Sequence, residues 1–149
     1  MSPESSDICV EIKSLPSEVG RACASLVALC NDRGLGREHG YPLELSLAEA
    51  LNNVLEHAFH FEPDHHIEVS LKLNEQLFSM AICYCSERVL TDEHFKGAEL
   101  PDAEDFPDCG FGNYLLTRLM DRINVAYEDG KTLIHMEKDN PGANLANPG

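Results

Sequence analysis

The sequence predicts an α+β domain, a two-layer α/β sandwich with helices on one face of a mixed, mostly antiparallel sheet. Three observations support this class: amphipathic helical stretches, strand pairs joined by short turns, and the order in which they alternate. The predicted order is β-α-α-β-β-loop-α-β-β. Helices and hairpins interspersed in so short a chain bury their apolar faces best as one sheet covered on one side. Residues 1–138 are predicted to form this single domain, and residues 139–149 a flexible tail.

The first strand and helix follow from hydrophobic spacing. Residues 8–13 alternate apolar and polar side chains, which is typical of a half-buried strand. Pro16 is tolerated in a first helical turn, and apolar residues then recur at helical spacing as far as Cys30. Gly34 and Gly36 are predicted to end this helix.

The middle of the chain predicts a second helix and a hairpin. Residues 43–60 form the most strongly helical stretch, with one broad apolar face that ends before Pro63. Residues 67–73 and 77–84 alternate and flank the polar residues 74–76. This pattern predicts two antiparallel strands joined by a tight connection.

The last third begins with an irregular segment. Residues 85–110 contain eight acidic side chains, two prolines and Gly97, and a loop this long in a compact domain is usually functional or mobile. A helix is predicted to start at the glycines that follow. Residues 123–128 and 131–137 flank Asp129-Gly130, a strong tight-turn signal, and are predicted to be the last hairpin.

The charge of the chain limits its partners. Its 149 residues include 11 Lys and Arg against 26 Asp and Glu, a formal net charge of −15. Binding to nucleic acid or to an anionic membrane surface requires basic residues, so neither is expected. A protein partner with a basic face is plausible instead. The sequence has no apolar run long enough to span a membrane and no secretory signal, which predicts a cytoplasmic protein.

Cysteine and histidine side chains leave a metal or thiol site as a minor alternative. The six cysteines form no CxxC pair and are expected to be free thiols in a reducing compartment. A metal site could be drawn through clustered histidines, but a solvated turn is the simpler interpretation. These histidines are His57, His60, His65 and His66.

Two short motifs could support chemistry. Glu49 and Asn53 are four residues apart, so they share one helix face, and their oxygens are of the type that Mg²⁺ prefers. Gly110 and Gly112 stand where a loop meets a helix, and such a start offers backbone N–H groups to an anion. Each motif alone is a weak signal.

Together, in this order, the two motifs are more specific. The arrangement resembles the histidine-kinase-like ATPase superfamily (the GHKL or Bergerat fold), and within it the small bacterial anti-sigma factor serine/threonine kinases. The resemblance runs from about Ile8 to Lys138. It implies that Glu49 is the catalytic general base and that Asn53 holds Mg²⁺ through bound ATP. His57 fits the end of the same motif, as part of the nucleotide site.

The resemblance also implies a glycine box that contacts the phosphates of ATP. The residues that match this box are Gly110, Phe111, Gly112, Asn113 and Leu115. In this family an Asp-x-Gly-x-Gly segment follows the second hairpin strand, and its Asp accepts a hydrogen bond from the adenine amino group. Here Tyr84-Cys85-Ser86-Glu87-Arg88 replaces that segment, which removes the adenine anchor.

The resemblance therefore leaves two functional hypotheses. The first is an anti-sigma-factor-type regulator of a bacterial partner-switching system that phosphorylates a STAS-domain antagonist with ATP and Mg²⁺. The second is a catalytically inactive binding module, a pseudokinase, with the same fold. Both imply a sigma factor or another effector as partner, and a homodimer is a family expectation. An unrelated α/β protein that depends on a metal or a thiol is a third alternative.

Overall fold

The computed structural model describes residues 6–86, 116 and 118–139. Five strands form one sheet in the order β1-β2-β3-β5-β4, and every described strand pair is antiparallel. The predicted fold class is confirmed. The elements are β1 (Ile8–Lys13), α1 (Pro16–Asp32), α2 (Arg37–Asn53), β2 (His66–Leu73), β3 (Leu77–Cys85), β4 (Arg122–Glu128) and β5 (Lys131–Asp139).

One face of the sheet packs against the helices. A row of aligned residues crosses this face from β1 to β5 and consists of Ile12, Ile67, Tyr84 and Thr132. All four side chains are buried, and the three apolar ones belong to one core cluster with Leu26 of α1 and other apolar residues of the two helices. Burial of each large apolar side chain stabilises the fold by about 1.5–3 kcal/mol.

Helix α2 begins earlier than predicted. Its first residue is Arg37, six residues before the expected start, and Pro42 lies inside it. A proline there removes one backbone donor. The first turn of the helix, before Pro42, is closed by the N–H groups of His39 and Gly40. Both donate to the carbonyl of Gly36, at 3.1 and 2.9 Å. The predicted start at residue 43 left out this first turn, which the two bonds to Gly36 close.

The α-helix also ends earlier than the predicted residue 60. The α-helix ends at Asn53 and continues as a π-helical turn over Val54–Ala58. The N–H of Phe59 donates to the carbonyl of Val54, five residues back, at 3.3 Å. His60 and Phe61 then take positive φ angles of 49° and 61°. Side chains other than glycine rarely adopt this region, and π-helical turns occur often at functional sites.

Both predicted hairpins are confirmed. In the β2–β3 connection, Asn74 Oδ1 accepts hydrogen bonds from the backbone N–H groups of Gln76 and Leu77 at 2.9 and 2.8 Å. In the β4–β5 connection, Asp129 and Gly130 have φ angles of 54° and 81°. Two positive φ angles in a two-residue loop match the twist of the flanking strands.

Some predicted segments fall outside the described residues. The acidic segment 85–110 is described only at Cys85 and Ser86. The helix expected after the glycine box is described at residues 116, 118 and 119, which are helical. Residues 140–149 of the expected tail are also not described. The assignment of 1–138 to one domain remains a prediction.

Candidate functional site

Two predicted site residues lie one turn apart on α2. Asn53 is 6% exposed, while Glu49 is half-buried. Asn53 is the last residue of the α-helix, directly before the π-helical turn. An amide at this depth is normally hydrogen-bonded, which fixes its orientation. The pair therefore presents one carboxylate and one oriented amide from neighbouring positions of a single helix.

Of the other predicted site residues, the structure describes only His57. His57 lies in the π-helical turn, partly exposed, with its Nε2 3.8 Å from Glu56 Oε2. The five residues of the predicted glycine box lie outside the described residues, so their proximity to α2 stays a prediction. They are Gly110, Phe111, Gly112, Asn113 and Leu115.

Three aromatic rings pack together where β3 ends. The side chain of Tyr84 points to the helix face and is 3% exposed. Its ring meets that of Phe59 edge to face, with the centroids 5.3 Å apart and the planes at 66°. Phe59 in turn stacks on His65 at 4.2 Å and 10°. Such aromatic pairs are worth about 0.5–1.5 kcal/mol each beyond their buried area, so this end of the site is filled and held.

The hydroxyl of Tyr84 ends among buried groups. Thr132 lies directly opposite it on β5 and is fully buried. Neither hydroxyl has a hydrogen-bond partner among the described residues. Burial raises the pKa of the Tyr84 phenol well above its ordinary value, although the nearby Thr132 acts in the opposite direction. Tyr84 therefore stays neutral at any physiological pH and cannot replace a carboxylate.

Hydrogen bonds of Ser14, which lies between β1 and α1, fix the loop between the π-helical turn and β2. Ser14 is fully buried, and its hydroxyl donates to the carbonyl of Glu62. The same oxygen accepts from the backbone N–H of His65 at 3.1 Å. His65 Nε2 also lies 3.2 Å from Glu62 Oε2. The position of the His65 ring, and with it the stack on Phe59, depends on these contacts.

An open cavity of about 560 Å³ adjoins these rings, at the end of β3 and beside the β4–β5 turn. Its described lining contains the carboxylates of Glu62 and Asp129 and no Lys or Arg side chain. A polyphosphate would be repelled by such a wall, since like charges oppose binding. The lining residues are Ala58, Phe59, His60, Glu62, His65, Cys85, Ser86, Tyr127, Asp129 and Gly130.

The metal alternative finds no support in the part of the chain that the structure describes. No group of three or more His, Cys, Asp or Glu residues there is placed to hold a metal ion. The cysteines within that part are free thiols, and Cys109 lies outside it. Likewise, none of the described helices is both long and apolar enough to cross a membrane.

Comparison with known proteins identifies the family. The histidine kinase-like ATPase domain family matches residues 12–138, and the chain belongs to this family. It is similar to the serine-protein kinase RsbW of Listeria innocua, with 24% identity over 133 residues that cover 85% of this chain and 83% of the relative. RsbW of Listeria monocytogenes matches to the same extent.

Solved structures confirm the fold. A chain of the SiaB-SiaC complex from Pseudomonas aeruginosa superposes with a TM-score of 0.64 and 13% identity, covering 91% of both chains. The histidine kinase domain of a blue-light activated kinase from Erythrobacter litoralis gives a TM-score of 0.50 and 14% identity. It covers 87% of this chain and 63% of that one.

The family implies ATP as a ligand, and the described residues fit it at one end only. Glu49 and Asn53 carry oxygen atoms of the type that could coordinate a metal ion bound to the phosphates. At the end of β3, where the resemblance puts the adenine anchor, a neutral buried phenol packed on Phe59 stands instead of a carboxylate. The base end of the site does not fit ATP.

Sequence reasoning found Tyr84 but not its surroundings. The stack with Phe59 and His65 depends on the π-helical turn and on the left-handed residues after it, which no local pattern predicts. Thr132 could have been found, because the Asp129-Gly130 turn fixes the β4–β5 register, but its pairing with Tyr84 required the sheet order. Ser14 acts across 48 and 51 residues, and its sequence gives no sign of this.

Proposed function

We propose that this chain is a regulatory protein of a bacterial partner-switching system, of the anti-sigma-factor type, and that it acts by binding protein partners. Its family membership and its similarity to RsbW over most of both chains support this proposal. The match to a chain of a protein-protein complex, SiaB-SiaC, agrees with it. The observation that favours binding over catalysis is the buried Tyr84 ring at the end of β3.

The proposed partners come from the family resemblance and are consistent with the charge. One partner is a sigma factor or another effector, and the other is a STAS-domain antagonist that competes for it. A net charge of −15 favours a partner that presents a basic face. It also gives an association rate that falls as salt rises, because long-range steering is screened.

A second candidate function is an ATP-dependent serine/threonine kinase acting on the antagonist. The observation that favours it is that Glu49 and Asn53 are present together on α2, with Asn53 buried. Glu49 would orient or deprotonate the acceptor hydroxyl, and Asn53 would hold Mg²⁺. The altered base end at Tyr84 argues against this function.

One experiment separates the two candidates. The purified chain is mixed with a STAS-domain antagonist, complex formation is measured by calorimetry, and transfer of labelled γ-phosphate is measured in parallel. The binding function predicts a saturable complex, the same affinity for Glu49→Gln and Asn53→Ala, and no transfer. Transfer that is lost in Glu49→Gln would establish the kinase instead. Absence of any complex with antagonists and sigma factors would contradict both.

A further inference from the structure

The ring of Tyr84 packs at the end of β3, where the family resemblance places the adenine anchor. We propose that the ring of Tyr84 is an internal substitute for a nucleobase and closes the base end of the family's nucleotide site from within. The proposal rests on family membership and on the geometry around Tyr84, and it does not depend on the identity of the protein partner.

The ring lies against an aromatic neighbour of the kind that a planar ligand would contact. Tyr84 is 3% exposed, meets Phe59 edge to face at 5.3 Å and pairs with the fully buried Thr132 on β5. A planar base needs such a combination of an aromatic neighbour and a polar group that fixes its edge. Here the protein's own side chain makes the aromatic contact, while the Thr132 hydroxyl has no partner among the described residues.

The backbone that follows the ring is anchored to two neighbouring segments. Directly after it, the N–H of Ser86 donates to the carbonyl of Gly130 at 3.0 Å, and Ser86 Oγ donates to the carbonyl of Ala58 at 3.3 Å. These bonds tie the end of β3 to the β4–β5 turn and to the π-helical turn. Because the ring itself is buried against Phe59, a nucleotide base would have to displace it, at a loss of at least about tenfold in affinity.

The test removes the ring and asks whether a base enters. The proteins are the wild type, Tyr84→Ala, and Tyr84→Phe, which keeps the ring. Phe78→Ala serves as a matched control, since Phe78 is fully buried on the same face of β3. Adenosine, which has a base but no phosphate, is the probe. Binding is measured by calorimetry and by the shift in the melting temperature.

We expect adenosine to bind Tyr84→Ala at least about tenfold more tightly than the wild type and to raise its melting temperature. Tyr84→Phe and Phe78→Ala should show no gain. Tyr84→Leu replaces Tyr84→Ala if the latter does not fold. Equal adenosine affinity in the wild type and the ring-deleted variant would overturn the proposal, as would a folded ring-deleted variant with no gain. Neither result bears on partner binding, which tests the proposed function separately.

Discussion

Tyr84 of β3 and Thr132 of β5 are paired neighbours on adjacent strands of the sheet. Both hydroxyls are buried without a hydrogen-bond partner among the described residues. A buried hydroxyl that has no partner at all costs about 1–3 kcal/mol of folding stability. The two hydroxyls lie at the end of the candidate site, next to the rings of Phe59 and His65. Substitutions at Tyr84 can therefore separate the contribution of its ring to folding stability from the contribution of its hydroxyl.

The first prediction concerns that separation. Tyr84→Phe should change the free energy of unfolding by less than about 1 kcal/mol, because it keeps the ring and removes a hydroxyl with no hydrogen-bond partner among the described residues. Tyr84→Ala should lower it by about 3–5 kcal/mol, because a large buried side chain is lost. Urea unfolding of the three proteins measures both differences. A loss above about 1 kcal/mol in Tyr84→Phe would show that the hydroxyl is bonded after all.

The second prediction concerns the loop between the π-helical turn and β2. Ser14→Ala should destabilise the protein by about 1–3 kcal/mol, since it removes two part-buried hydrogen bonds, to Glu62 and from His65. Ser25→Ala is the control, because Ser25 is an exposed helical serine whose hydroxyl bonds only within α1. It should change stability by less than about 0.5 kcal/mol. Equal effects of the two substitutions would mean that Ser14 does not anchor the loop.

The third prediction concerns thiol reactivity. Burial, with a smaller contribution from the carboxylate of Glu44, raises the pKa of Cys23 to about 11. The same two causes raise the pKa of Cys30. At about pH 8 in the folded protein, an alkylating reagent should therefore modify exposed Cys9 and Cys85 long before these two. Mass spectrometry of timed samples measures the order. Modification of Cys23 as fast as Cys9 would contradict the described α1–α2 packing.

The fourth prediction concerns stability at acidic pH. Burial lowers the pKa of His135, which outweighs the opposite effect of Glu137. The unfolded chain then binds a proton at higher pH than the folded chain, so this contribution is complete above about pH 6.5 and is lost as pH falls below it. His135→Gln should reduce the loss of stability between neutral and mildly acidic pH. Urea midpoints of both proteins at the two pH values test this, and identical pH dependence would rule His135 out.

The sequence was sufficient for most of the fold because the relevant signals are local. Alternation in residues 8–13 and 67–73 has a period of two, and one face of each strand is buried as that period requires. Asp129-Gly130 fixed the last hairpin through its two positive φ angles. The start of α2 was wrong by six residues, because the apolar pattern begins at Leu43, whereas the first turn is closed by backbone bonds to Gly36.

The candidate site was less predictable, since its parts meet only after folding. The spacing of Glu49 and Asn53 is a property of one helix and could be read directly. The contacts of Tyr84 with Phe59 and Thr132 join β3 to the π-helical turn and to β5. No sequence period encodes that junction, so the sequence could show a missing carboxylate but not the ring that fills its place.

The central claim is that a chain with a histidine-kinase-like ATPase fold has lost its base-binding end. A calorimetric titration of the wild type with Mg·ATP, repeated on Asn53→Ala, tests it most directly. We predict no saturable heat at millimolar ATP for either protein. Saturable binding by the wild type that Asn53→Ala abolishes would contradict the claim and would point to a working nucleotide site on α2.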